Sequence, residues 1–176
     1  IKLGDVQYTG TDRGLLIEYF NGWERLNTPG CDMPWSVIPD PGGEGFLLPC
    51  YLLGFQRFDW DGNMTATYDL PAGGLNTDEV QLFPGYLCRG EYGCLTGGLR
   101  GPYSIRDGKA RFWGRLGYTV ETFAWDTVTQ QVFAAGNNIS FLRPDGTMIP
   151  DAITIPEDIV SIYTAYDMLV DREHIW

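Results

Sequence analysis

Four Asx-Gly dipeptides constrain this chain more than any other feature: Asn21-Gly22, Asp61-Gly62, Asp107-Gly108 and Asp145-Gly146. Each lies between two strand-like runs. Leu15–Phe20 and Trp23–Leu26 flank the first, and Phe55–Phe58 and Thr65–Tyr68 the second. Tyr103–Ile105 and Ala110–Trp113 flank the third, and Ile139–Leu142 and Thr147–Ile149 the fourth. A type I′ turn needs positive φ at both central residues, which Asn, Asp and Gly tolerate best. An Asx-Gly pair between apolar runs therefore predicts a β-hairpin. Tyr118–Trp125 and Gln131–Ala134 predict a further pair around Asp126–Thr129. About eight to ten short strands joined in sequence order predict an all-β chain, an antiparallel meander. It closes as a lipocalin-like barrel or folds as a β-sandwich.

One segment has a different period. Ile159, Ile162, Tyr163, Tyr166, Leu169 and Val170 follow helical spacing after Pro156, with Glu157 and Asp158 at the N-terminal end. This predicts a C-terminal α-helix over 156–170, packed on a single β domain spanning 1–176. Three glycine-rich stretches, 40–45, 71–74 and 96–102, read as loops. None matches the phosphate-cradling pattern of a nucleotide-binding loop.

Composition excludes several classes. Hydrophobic residues make up 44% and charged residues 20%, too apolar for intrinsic disorder. The net charge of −11 argues against nucleic acid and anionic lipid as partners. No apolar run approaches the roughly 20 residues of a membrane-spanning helix. His174 is the single histidine, which argues against multi-histidine metal sites and a Ser–His–Asp triad. The sequence therefore points to no metal and no cofactor, and to a small-molecule ligand as the partner. It leaves the oligomeric state open.

The four cysteines suggest local pairing, Cys31 with Cys50 and Cys88 with Cys94. Free thiols and a four-cysteine metal site are the alternatives, although the paired C-x2-C spacing of such a site is missing. Two sequons, Asn63-Met-Thr65 and Asn138-Ile-Ser140, make Asn63 and Asn138 candidate glycosylation sites. Disulfides and sequons together predict a secreted or extracellular protein, with a cytoplasmic one as the alternative. The chain starts at Ile1 with neither a basic nor an apolar leader-like region.

The richest cluster of chemistry lies at 110–126. Strand alternation places Arg111, Trp113 and Arg115 on one face, and Glu121, Phe123 and Trp125 on another. If the two strands pair across Gly117, the face carries two indoles, a phenyl ring, two guanidiniums and a carboxylate. Such a wall holds a flat organic anion, the guanidinium gripping its carboxylate at two points. Glu121, desolvated among aromatics, is the candidate acid or base. The alternative is an ordinary outer sheet face. Segment 87–115 holds six basic residues (Arg89, Arg100, Arg106, Lys109, Arg111, Arg115) against Glu91 and Asp107. This local positive patch suits an anionic group or the acidic C-terminal segment. Glu18 is solvated if Leu15, Ile17 and Tyr19 form the core face, and buried otherwise. Asp59–Asn63 opens like a calcium loop but lacks that loop's later glycine and glutamate.

The stretch Leu16-Ile-Glu-Tyr-Phe-Asn-Gly-Trp23 resembles the early hairpin of phenolic acid decarboxylases, where a Tyr-x-Tyr-Asp-Asn-Gly-Trp stretch occurs. Asn138–Arg143 resembles their penultimate strand. The resemblance implies a lipocalin-like barrel with a central pocket. It places Tyr19 at the family's second catalytic tyrosine, while Ile17 stands at the first.

These readings predict a β-barrel that binds a small, partly aromatic molecule, anionic where the arginines are used. Tyr19, Glu121, Arg111 and Arg115 are the candidate catalytic residues, with Trp113, Phe123 and Trp125 as ligand-binding walls. No motif forces an enzyme. Any chemistry would be a cofactor-free lyase or isomerase step. The alternatives are a secreted glycan-binding sandwich, using exposed Trp and Tyr as platforms, and a structural or assembly protein.

Overall fold

The computed structural model describes residues 2–3, 6–11, 14–19, 22–31, 34, 36–51, 54–71, 73 and 81–154. The predicted helix over 156–170 lies outside them. The described residues are all-β and fall into two compact units, Ile1–Leu70 and Pro71–Trp176.

Among the described residues sixteen strands form four sheets, each a four-stranded antiparallel meander in sequence order. The first sheet holds β1 (Lys2–Leu3), β2 (Val6–Thr11), β3 (Gly14–Tyr19) and β4 (Gly22–Leu26). The second holds β5 (Ile38–Pro39), β6 (Gly45–Cys50), β7 (Gly54–Asp59) and β8 (Met64–Tyr68). The third holds β9 (Leu82–Arg89), β10 (Gly93–Gly98), β11 (Tyr103–Arg106) and β12 (Lys109–Phe112). The fourth holds β13 (Thr122–Asp126), β14 (Gln131–Ala135), β15 (Asn138–Leu142) and β16 (Met148–Thr154). Such meanders are the unit from which propeller blades are built. The Asx-Gly dipeptides all fall at the last hairpin of a sheet, about 40 residues apart, the spacing of a blade-sized repeat.

The antiparallel meander is therefore present, but not as one closed sheet. Hairpin chemistry joins neighbours within each set of four strands. Among the described residues no ladder joins one set of four strands to the next, so the expected continuous lipocalin-like barrel gives way to separate sheets.

In the first unit, Leu15 and Ile17 of β3 and Leu26 of β4 face Phe46 and Leu48 of β6 and Phe58 of β7. Spacing by two along each strand brings these residues to one face. Burying each large side chain contributes about 1.5–3 kcal/mol. Glu18 points to the other side of β3 and is half-exposed, the solvated outcome. A Cys31–Cys50 disulfide lies in this core.

In the second unit, Leu95 of β10, Trp113, Leu116, Tyr118 and Val120 pack against Phe123, Val132, Ala134 and Leu142 of the fourth sheet. β9 runs beside β13. The approach is so close that a Cβ on Gly85 would lie 1.9 Å from the Glu121 carbonyl oxygen, so only glycine fits there. A disulfide joins Cys88 and Cys94, which face each other across β9 and β10.

Candidate functional site

The site grows from the β11–β12 hairpin. Arg106 pairs with Lys109 and Ser104 with Arg111, so the turn residues are Asp107 and Gly108. Both have positive φ, 50° and 69°, as a tight primed turn requires. Alternation then puts Ser104, Arg106, Lys109 and Arg111 on one face, with Trp113 continuing the row. Tyr103 and Phe112 lie on the other face, with ring centroids 4.9 Å apart.

The polar face walls a cleft of about 350 Å³. Glu91 and Tyr92 close one side, and Pro144, from the β15–β16 turn, closes another. Tyr92 sits in the 3-10 turn Gly90–Tyr92, inside the Cys88–Cys94 loop. It is 3% exposed. Its hydroxyl lies 3.1 Å from both the Gln130 and Leu142 carbonyl oxygens, tying this loop to the fourth sheet. Its ring stacks on Trp113 and meets Trp125 edge-on, each at 5.9 Å. Arg89 covers Trp125 at 4.6 Å and Arg111 covers Trp113 at 4.3 Å, so each indole carries a guanidinium.

The two guanidiniums at the cleft each donate to a neutral backbone oxygen. Arg111 Nη2 donates to the Gly146 carbonyl oxygen at 2.6 Å. Arg106 Nη1 donates to the Glu91 carbonyl oxygen at 2.6 Å. The Trp113 indole N–H donates to Ser104 Oγ at 2.9 Å, which fixes the ring plane. Among the described residues the carboxylate contact is Arg106 to its exposed chain neighbour Asp107, 3.4 Å away.

The other predicted site residues lie elsewhere. Gly114 has φ of 146° and the strand ends at Phe112, so Arg115 leaves the face it was expected to share with Arg111 and Trp113 and does not line the cleft. Phe123 is buried in the core between the sheets, and Trp125 packs against that core. Glu121 stands at the head of β13, outside the cleft, where burial pushes its carboxyl up. Tyr19 pairs with Gly22 at the end of β3, in the other unit. Tyr92 and Ser104 were missed. The sequence signal was present: a Tyr inside a short Cys-to-Cys loop, and a Ser directly opposite Arg111. Asn63 is exposed, with its side-chain amide donating to Asp59. Asp59 also accepts from the Asn63 backbone, so the calcium-like motif is satisfied as a turn. The Asn138 amide donates to Asp151, and Ser140 of that sequon is buried against Tyr118.

No family model matches the chain, and no curated protein matches it. Solved structures do. The extracellular domain of a one-component system from B. thetaiotaomicron matches with a TM-score of 0.71 at 16% identity, over 98% of this chain and 24% of that one. The extracellular domain of a hybrid two-component system from the same organism matches with a TM-score of 0.72, at the same identity and coverage. The likeness is one of fold, and the chain spans about a quarter of the length of those structures.

Proposed function

We propose that this chain is a ligand-sensing β domain working outside the cytoplasm, and that its ligand is a small solute held in the cleft beside Arg111 and Trp113. One observation carries the reading: a single hairpin face presents Arg106, Lys109 and Arg111 to a cavity while backbone carbonyls and an indole fix the two guanidiniums. Two disulfides support an oxidising setting, and the fold is shared with extracellular domains of bacterial signalling systems. The wall offers two grips, the aromatic edge of Trp113 and Tyr92 and the row of cations. Glu121 lies away from both, which favours binding over acid–base turnover. The Asn21-Gly22 dipeptide behind the decarboxylase resemblance is one of four Asx-Gly dipeptides that fall between the last two strands of a sheet, a structural reason for its presence.

The test is an intact mass spectrum of the chain from its native host, under native and then denaturing conditions. A small mass should be lost on denaturation, and the Arg111→Ala protein should arrive without it. Full retention of that mass by Arg111→Ala would move the ligand out of this cleft.

Trp23 and Trp60 support a second reading, a glycan platform on the first unit, because they are 49% and 47% exposed. Loss of sugar binding in Trp23→Ala or Trp60→Ala, with the cleft intact, would favour it.

A further inference from the structure

We infer that the cleft selects a compact oxyanion, a carboxylate or sulfate group on a small solute, and not an aromatic ring. This rests on the cleft being the ligand site. Three observations carry it. First, the indole face that an aromatic ligand would use is already covered by the Arg111 guanidinium at 4.3 Å. Tyr92, the other ring of the wall, is 3% exposed. Neither offers an open face for stacking. Second, Arg106 and Lys109 sit directly opposite each other and Arg111 follows on the same face, an arrangement of like charges that costs a hairpin stability. In a chain of net charge −11, with 23 acidic residues, carboxylates were available to neutralise these cations. Among the described residues only exposed Asp107 comes within ion-pair distance of one of them, although Glu91 also lines the cleft. Third, among the described residues Arg111 is positioned by neutral groups and by no carboxylate. A carbonyl oxygen takes one N–H and the indole takes one face, and the remaining N–H groups stay available for a two-point grip on an oxyanion. Lys109 adds a mobile ammonium at the rim, suited to charge attraction and not to shape.

The experiment is a titration of the ¹⁵N-labelled full chain with malonate, sulfate and glucuronate. Sodium chloride at matched ionic strength and glucose serve as controls. The Trp113 indole N–H, one hydrogen bond from Ser104 and one ring contact from Arg111, is the reporter. The expected result is a saturable shift with the oxyanions, with a Kd of about 1 mM or tighter. Glucuronate should bind and glucose, the same ring without a carboxylate, should not. Arg111→Ala should weaken binding about 10-fold or more, as loss of a charge-assisted pair does. Arg111→Lys should recover only part of it, because an ammonium cannot make the planar two-point contact. Lys109→Ala should weaken it less, and Arg25→Ala, in the other unit, should leave it unchanged. An equal shift with chloride, or one that never saturates, means simple screening and overturns the inference. Binding of glucose as tightly as glucuronate, or of a neutral native ligand that shifts Trp113, overturns the oxyanion assignment but leaves the cleft as the site. A native ligand that binds without moving Trp113 overturns both.

Discussion

The two units place an arginine in opposite situations. Arg57 of β7 is neutralised: its Nη2 lies 2.6 Å from Asp40 and 3.0 Å from Glu44, and its Nε also donates to Asp40. Arg111 of β12 is oriented instead by a carbonyl oxygen and an indole. Both are strand residues beside an Asx-Gly turn. The difference lies in what the neighbouring loop supplies. The Asp40–Glu44 loop brings two carboxylates to Arg57, and the Arg143–Thr147 turn brings a backbone oxygen to Arg111. A guanidinium closed by carboxylates is a structural brace. One oriented by neutral groups keeps its charge for something else.

The contrast can be broken or sharpened by substitution. Phe58→Ala should have the largest effect, destabilising the first unit by about 3–5 kcal/mol in urea unfolding, because it opens a void among fully buried rings. A loss below about 1 kcal/mol would mean that this core collapses around the gap. Removing disulfides should come next. The Cys31–Cys50 link closes a sequence separation of 19 and the Cys88–Cys94 link one of 6. Loop entropy puts their losses at about 3 and about 2 kcal/mol respectively. Calorimetry of the two Cys-to-Ser double variants would expose any inversion of that order. Arg57→Ala should cost about 1 kcal/mol, and Arg111→Ala a few tenths, since the Arg57 pair is partly shielded while Arg111 is exposed. Equal losses would erase the distinction drawn between them.

The smallest effects should appear at the two ends of β13, with opposite signs. The Asp126 carboxylate accepts from Thr129 Oγ1 and from the Val128 and Thr129 backbone N–H groups, and these bonds hold its carboxyl below the usual range. The unfolded chain binds a proton there first, so this stabilisation is complete above pH of about 4 and fades as acid protonates the folded form. Burial raises Glu121 instead, so its contribution runs the other way and falls as pH climbs above about 4. Asp126→Asn should flatten the acid limb of the stability profile. Glu121→Gln should lift the neutral side slightly. A neutral-pH loss in Glu121→Gln would mean that the ionised carboxylate is bound by a partner.

Much of this was legible in the sequence, for local reasons. The Asx-Gly turns marked the last hairpin of every sheet because positive φ restricts the choice of residue at a tight turn. The cysteine pairing followed from proximity along the chain. The pairing of Arg111 with Trp113 followed from the two-residue period of a strand. Partition into four sheets was not legible. Alternation reports which face is buried, but it does not say whether the next strand continues the same ladder. Arg115 failed for a related reason: Gly114 breaks the alternation on which its placement depended. Tyr92 escaped because its importance comes from Gln130 and Leu142, far away in sequence.

Lys109 has a practical consequence. The chain contains two lysines, Lys2 and Lys109, so amine chemistry addresses few positions, and one of them is the rim of the cleft. An amine-reactive dye would place a reporter there without any engineered cysteine and with both disulfides left alone. A solute entering the cleft should slow labelling at Lys109 relative to Lys2. The natural scarcity of lysine turns a bulk modification assay into a nearly site-specific footprint.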